Sequence, residues 1–552
     1  MNKSLAIALT MALPLGAAAQ TAIDAMSISG TDLRGTARFM SMGGAFTALG
    51  GDISTLTQNP GGIGVYRSSD INLTLNLDAN SAKSTAAGGY DKQSKTSFGV
   101  NDFGYIGAVY TGSDVMPFFN WGVSYSRKAS FNRHYGGYLG QIGTSYSNLV
   151  ADYTTKGGWA PGELSPGQSY NPYFESDAPW SSILAYDSYM INPLSPGSSA
   201  YTGLFNYDAH GGAGSLAEAW YNIEEKGHVD EYSINFGGNI QDVLYWGIGF
   251  GITDLDFKQY AYYGEDINNA NVPDADAQAY TTDGYASYSL DNVKHIWGSG
   301  FNFKAGVIVK PINELRLGLA IHTPTYYNLS QESHAVTNFS YDSSTYPEGQ
   351  AYNSSRDTNW DDFDWKYQSP WRLMFGVAGV IDGRMILSAD YEYRAYGDQK
   401  LKDWNGYNYD DLNDDVKTWY QAANILRLGA EYRVTPALSV RAGYSYESSP
   451  VKKAILDPAT DAAPNYVYTS GPDDTETVPS YTFDRSTNYV SLGVGYKYKN
   501  FYADLAYAHS TRKSDYHAFT DYVDNEGYKV TGPTAKVSQN NNSVILTLGV
   551  RF

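Results

Sequence analysis

The chain has 552 residues, with 11 Trp, 50 Tyr, 21 Phe and 56 Gly, which suits an all-β wall better than a packed enzyme core. A formal charge of −20 removes the basic footprint that a nucleic-acid partner requires. The absence of Cys excludes disulfide frameworks, thiolate metal sites, iron–sulfur clusters, thiol catalysis and a lipid-anchored amino terminus.

Residues 1–19 read as a signal peptide. Lys3 supplies the charged start, Ser4 to Gly16 the apolar run, and Ala17-Ala18-Ala19 the cleavage site, so the mature chain is expected to begin at Gln20. No later stretch of 18 or more apolar residues offers a transmembrane helix. Residues 20–69 do not alternate. They hold small residues, several glycines and the pair Asn59-Pro60.

From residue 70 onward the chain alternates with period two. Ile71, Leu73, Leu75 and Leu77 oppose Asn72, Thr74 and Asn76. Leu244, Trp246, Ile248, Phe250 and Ile252 oppose glycines, and Leu438, Val440, Ala442 and Tyr444 oppose Ser439, Arg441 and Gly443. The last strand sets Val544, Leu546, Leu548, Val550 and Phe552 against Ile545, Thr547, Gly549 and Arg551. Tyr clusters at strand ends suit the aromatic girdle of a membrane barrel, and a second face of small and charged residues suits a wet or plugged lumen.

Strands are expected near 70–78, 97–110, 118–135, 229–238, 243–258, 295–310, 314–327, 363–381, 384–396, 424–434, 437–447, 487–498, 501–510 and 543–552. Fourteen strands with alternating short and long links predict an all-β transmembrane antiparallel barrel with short periplasmic turns and long external loops. The long links are 79–96, 136–228, 259–294, 328–362, 397–423, 448–486 and 511–542. The largest, 136–228, reads as an external insertion, and helices are expected at 215–226 and 411–424.

The segment before the barrel carries Gly43, Gly44 and Ala45, then Asp52, then Asn59, Pro60, Gly61 and Gly62. This pattern resembles the amino-terminal hatch of the FadL/TodX family of outer-membrane channels for long-chain fatty acids and hydrocarbons, with Gly61 in place of the usual Ala. Ile321 to Tyr326 is similar to a family pattern after strand seven. The resemblance implies a 70–552 barrel plugged by a 20–69 hatch. It further implies passive uptake of a hydrophobic small molecule, with lateral release into the bilayer at a kink in strand three. Here that kink would fall at Ser130, Asn132 and His134.

Arg316, Asp390, Glu392, Arg427, Glu431, Arg441, Lys497, Asp504 and Arg551 lie on the inward parity of their strands. They are candidates to hold the plug through Arg34, Arg38 and Asp52, or to pair across the wall. No catalytic, cofactor or metal motif stands out, and Asp410-Asp411 and Asp414-Asp415 read as solvated loop. The expected partners are outer-membrane lipid and lipopolysaccharide, the hydrophobic ligand, and the barrel-assembly machinery through the strand ending in Phe552. The protein is expected to be a monomer. The alternative is a surface-binding, adhesin-type or haem-binding barrel using the external loops, with His134 or His322 as haem candidates.

Overall fold

The computed structural model describes residues 21–207, 214–274, 281–343, 352–458 and 475–552. The expected signal peptide lies outside the described residues. The wall is built from β1 (Asp70–Ala86), β2 (Gly89–Tyr110), β3 (Phe118–Ser130), β4 (Arg133–Ile142), β5 (Leu216–Ile240), β6 (Leu244–Pro273) and β7 (Thr281–Ile312). It continues with β8 (Leu315–His322), β9 (Tyr326–Ser343), β10 (Tyr352–Asp357), β11 (Asp361–Gln368), β12 (Arg372–Ile381), β13 (Met385–Arg394) and β14 (Lys400–Asp403). The last strands are β15 (Ala423–Arg433), β16 (Leu438–Glu447), β17 (Tyr481–Tyr498), β18 (Phe501–His517) and β19 (Thr534–Arg551).

Fourteen of these cross the membrane. Antiparallel ladders run β1–β2–β3–β5–β6–β7–β8, then β8–β12–β13–β15–β16–β17–β18–β19. Asp70 to Thr85 of β1 pair with Arg551 to Lys536 of β19, which closes the ring. Closure leaves no sheet edge to satisfy in hydrocarbon. The outward parity carries an exposed apolar belt: Leu492 is 58% exposed, Ile252 62% and Leu548 52%. A belt of aliphatic side chains this open is stable only against lipid. The chain is a β-barrel of the outer-membrane type.

The wall does not stop at the membrane. β6 has 30 residues and β7 has 32, against the roughly ten that a tilted strand needs to cross. Much of the expected links 79–96, 259–294 and 328–362 is therefore strand. Above the bilayer the outward face turns polar while the inward face keeps its Tyr and Ala, so apolar alternation fades although pairing continues.

The same reason overturns the helix expected at 215–226. This stretch is β5, with Ala217, Ala219, Tyr221 and Ile223 buried at period two and partners on both sides. The 136–228 insertion is likewise part wall, in β4 and β5. Between them lie α3 (Tyr146–Gly157), α4 (Pro161–Leu164), α5 (Pro172–Glu175) and α6 (Trp180–Asp187). Their Val150, Trp180, Ile183 and Leu184 share a core with Tyr263, Tyr516 and Phe519 of the upper barrel and cap its outer mouth. The helix expected at 411–424 is present as Asp410–Trp419.

Candidate functional site

The amino-terminal segment lies within the ring of strands. Its first helix, α1 (Ala22–Ser29), starts from a capping box in which Thr21 and Asp24 bond each other's backbone N–H groups. Further on, Asp52 accepts from Thr36 Oγ1 at 2.8 Å and from the Ser54 N–H at 3.0 Å. Asn59 Oδ1 accepts the Gly61 N–H at 2.9 Å, its Nδ2 donates to Thr47 O at 2.6 Å, and Pro60 opens the turn Pro60–Val65. Inward glycines of the wall, Gly247, Gly318, Gly376, Gly429 and Gly443, are where this segment presses closest. Gly43 shows why small residues are needed on both sides. Its φ is +63°, and a Cβ there would lie 2.7 Å from the Tyr444 carbonyl.

The expected lumen charges divide between wall and segment. Arg38 bonds Glu431 at 2.9 Å, Glu431 bonds Arg441 at 2.6 Å, and Arg441 bonds Asp504 at 2.5 Å. Asp390 accepts the Thr47 N–H at 2.8 Å, and Arg316 donates to Leu49 O at 2.7 Å. Glu392 and Arg427 pair with each other at 2.6 Å on the wall, and Glu392 also takes Arg372 at 2.7 Å. Arg34 reaches Asp78 at 2.9 Å and Arg551 reaches Asp70 at 2.8 Å. Lys497 is exposed near the β17–β18 turn, away from the segment.

The pairing of strand three changes along its length. The β2–β3 ladder runs from Tyr110↔Phe118 to Asp102↔Ser126 and ends there. Beyond it Lys92–Val100 of β2 ladder only with β1, while β3 stays with β5 through a bulge at Lys128. The chain then turns inward. Asn132 O accepts from Asn80 Nδ2 on the inner face of β1 at 3.2 Å, and β4 begins at Arg133. The gap is spanned above by the Tyr138 N–H, which donates to Asp91 at 3.1 Å. It forms a lateral window between β2 and the bent strand.

Asp32 takes the partner's place in that window. Its N–H donates to Lys128 O at 2.8 Å, and its carboxylate accepts the Ser130 N–H at 3.0 Å and pairs with Arg512 at 3.2 Å. Asn101, the bulged residue of β2, clasps the next stretch: its Nδ2 donates to Gly35 O at 2.8 Å and its Oδ1 accepts from Arg34 at 3.2 Å. His134 bonds Asn222 at 2.8 Å, and buried His322 bonds Gln58 O at 2.7 Å. Both haem candidates are thus already committed to protein partners.

Three cavities of about 90, 60 and 70 Å³ meet at Gly30–Leu33. Each is well below the ~300 Å³ of a small ligand pocket. The 60 Å³ cavity lies under the end of α1 and gathers Lys128, Lys304, Arg372 and Glu231. Lys304 pairs with Glu231 and Arg372 with Glu392, whereas Lys128 has no ion pair among the described residues.

The 90 Å³ cavity is closed outwardly by the segment around Val478. Lys294 bridges Asp24 at 2.6 Å and Glu476 at 2.5 Å, well outside the belt that β7 leaves at Phe301. Burial pushes the Glu476 carboxyl up to about 7 and Asp24 adds to this, with Lys294 opposing.

Sequence reasoning missed Asp32, Lys128 and the Asp24–Lys294–Glu476 bridge. Lys304, Arg372 and Lys128 all share the inward parity of their strands but were not singled out, and the bulge at Lys128 brings Ala129 inward as well.

No protein-family model matches the sequence, and no curated protein matches it. Among solved structures, the chain is similar to a Pseudomonas aeruginosa FadL homologue at 13% identity, covering 95% of this chain and 99% of that one, with a TM-score of 0.47. The Pseudomonas putida toluene transporter TodX is 15% identical over 94% of this chain and 99% of that one, with a TM-score of 0.45. The Ralstonia pickettii toluene transporter TbuX is 14% identical over 94% and 99%, with a TM-score of 0.41. At this level the likeness is one of overall architecture, and no residue's role is taken from it.

Proposed function

We propose that this chain is an outer-membrane channel for passive uptake of hydrophobic molecules, in which segment 20–69 is a hatch and the ligand leaves sideways through the window. The observation that carries this reading is the β2–β3 ladder ending at Asp102↔Ser126, with Asp32 of the hatch bonded to the bent strand instead of β2. An apolar solute gains nothing from a water-filled pore. A side opening at bilayer height lets it go directly into hydrocarbon.

Gating follows from the cavities. Gly30–Leu33 separates three chambers that are each too small for a lipid-sized ligand, and the same stretch occupies the window. Displacing it joins the chambers and frees the exit in one motion. The Asn59–Pro60 turn anchors the far end of the hatch on the wall and sets how far the rest can move.

Long-chain fatty acids suit this lumen better than bare hydrocarbons. Lys128 offers a buried amine with no ion pair of its own among the described residues, beside a Glu231 already held by Lys304. An incoming carboxylate would hold it protonated and gain a charge-assisted hydrogen bond. The external cap favours a channel over an adhesin, because its helices spend their apolar faces on the barrel mouth. The test is long-chain fatty acid uptake in a channel-deficient host, with the native chain and an Asn59→Ala/Pro60→Ala variant. Uptake that depends on the protein and changes in the variant supports the reading. No uptake from a correctly inserted barrel refutes the fatty-acid assignment.

A further inference from the structure

The outer surface above the membrane is divided by charge. On β6 and β9 the outward parity is acidic: Asp254 is 59% exposed, and Asp256 and Glu332 flank His295. The opposite side, formed by β18, β19, β1 and β2, carries a row of lysines instead. Lys92 stands directly opposite Lys83 in the β1–β2 ladder, Lys83 opposite Ser538, and Ser538 opposite Lys513. All three lysines are exposed, and none has an ion pair among the described residues. Lys83 lies over the Tyr90 ring at 4.1 Å.

Apart from exposed Asp457 of the adjoining loop, paired with Arg485 at 2.9 Å, the outward parity of these four strands has one carboxylate among the described residues, Asp515, in a chain of 58 acidic residues. Asp515 is already held by Arg485 at 2.5 Å, at the upper edge beside Lys536. Around the row the outward positions are Ser81, Thr85, Ser94, Thr96, Thr511 and Asn540, all hydrogen-bonding and uncharged. Like charges directly across a ladder are unfavourable unless something neutralises them. In a chain of charge −20, chance placement does not readily leave three lysines in a row with so few acids beside them.

We infer that this face binds the phosphorylated saccharide headgroup of an outer-leaflet glycolipid. Height selects the occupant. On β1 and β18 the row stands six residues above the last large apolar position, Lys83 above Leu77 and Lys513 above Tyr507; on β2 Lys92 stands six above Phe98, with Tyr90 the one aromatic beyond it. At ~3.3 Å per residue and a ~40° tilt this is about 15 Å above the hydrocarbon. That is beyond simple phospholipid headgroups and within a layer of phosphorylated sugars. From Lys92 to Lys513 the row spans three strand spacings, about 14 Å, room for more than one phosphate. The acidic side would repel the same headgroup, so the barrel takes a preferred orientation towards its glycolipid neighbours.

The test uses the full chain in detergent, titrated with lipopolysaccharide lacking O-antigen and read by native mass spectrometry. With about a five-fold contribution from each lysine near an anionic surface, K83Q/K92Q/K513Q should bind about 100-fold more weakly. A K310Q/K497Q/K499Q control, carrying the same charge change at the other end of the barrel, should bind as the parent does. Enzymatically dephosphorylated lipopolysaccharide should bind the parent no better than the triple variant binds the intact form, and millimolar inorganic phosphate should not displace the lipid. Equal binding by parent and triple variant, equal binding of the dephosphorylated form, or displacement by inorganic phosphate would each overturn the inference. Heat-modified mobility on gels verifies that both variants are folded barrels.

Discussion

Replacing Asp32 with Ala removes the group that closes the window. The carboxylate accepts the Ser130 N–H at 3.0 Å, pairs with Arg512 at 3.2 Å and lies 3.5 Å from Arg34. A hydrogen bond to a charged group contributes about 1.5–3 kcal/mol. The partly exposed Arg512 pair adds less than about 1 kcal/mol after screening. The closed state should therefore lose about 2–3 kcal/mol, a ~30- to 150-fold shift toward opening. Amide exchange over residues 126–134, followed by mass spectrometry, should accelerate by that order. Exchange over 385–394, across the ring from the window, should not change. Fatty acid uptake should rise, since the hatch no longer rests on the exit. Asp32→Asn, which keeps an acceptor but no charge, should fall between. Unchanged exchange at 126–134 in Asp32→Ala would refute the role given to this contact, as would acceleration spread evenly over the barrel.

Three further outcomes follow. Gly43→Val places a branched side chain at φ +63° against the Tyr444 carbonyl and should cost about 2 kcal/mol or more; limited proteolysis should then cut within 30–65 while the barrel keeps its heat-modified mobility. Lys128→Ala should lower uptake of a long-chain fatty acid about tenfold relative to an alkane of matched length, measured by paired uptake. Glu476 is raised from 4.5 to about 7, so between these values the folded state holds a proton that the unfolded state releases, and closure is stabilised as pH falls through 7. Exchange over 22–29 and 475–480, corrected for intrinsic rate, should be slower at pH 6 than at pH 8, and Glu476→Gln should remove the difference.

How far the sequence could be read depended on range. Alternation in the bilayer is local and strong, so lipid-facing positions need no partner to be recognised; Val544, Leu546 and Leu548 announce their lipid face by spacing alone. The small inward residues Gly247, Gly429 and Gly443 suited either a wet or a plugged lumen, and they are where the amino-terminal segment presses on the wall. Above the membrane the outward constraint vanishes. β6 and β7 there carry Asp, Asn and Ser outward, which reads as loop, and Ser215–Lys226 has a spacing that mimics a helix. The sequence showed only an interruption of alternation at Ser130, Asn132 and His134. What fills the window was not legible, because Asp32 meets Ser130 across 98 residues and no local pattern encodes that meeting. Lys128 shares the inward parity of Ser124 and Ser126, but the bulge beside it leaves it unpaired, and strand alternation alone does not show which inward charge lacks an ion pair.

The lateral exit itself can be tested by closing it. A Cβ at Gly99 on β2 would lie 3.9 Å from Arg127 Nη1 on the bent strand, and the chain has no native Cys. A Gly99→Cys/Arg127→Cys variant can be bridged by a short bis-methanethiosulfonate and released with reductant. Fatty acid uptake should stop on cross-linking and return on reduction. Undiminished uptake through a barrel verified by mass to be cross-linked would contradict sideways release and send the ligand out through the lumen instead.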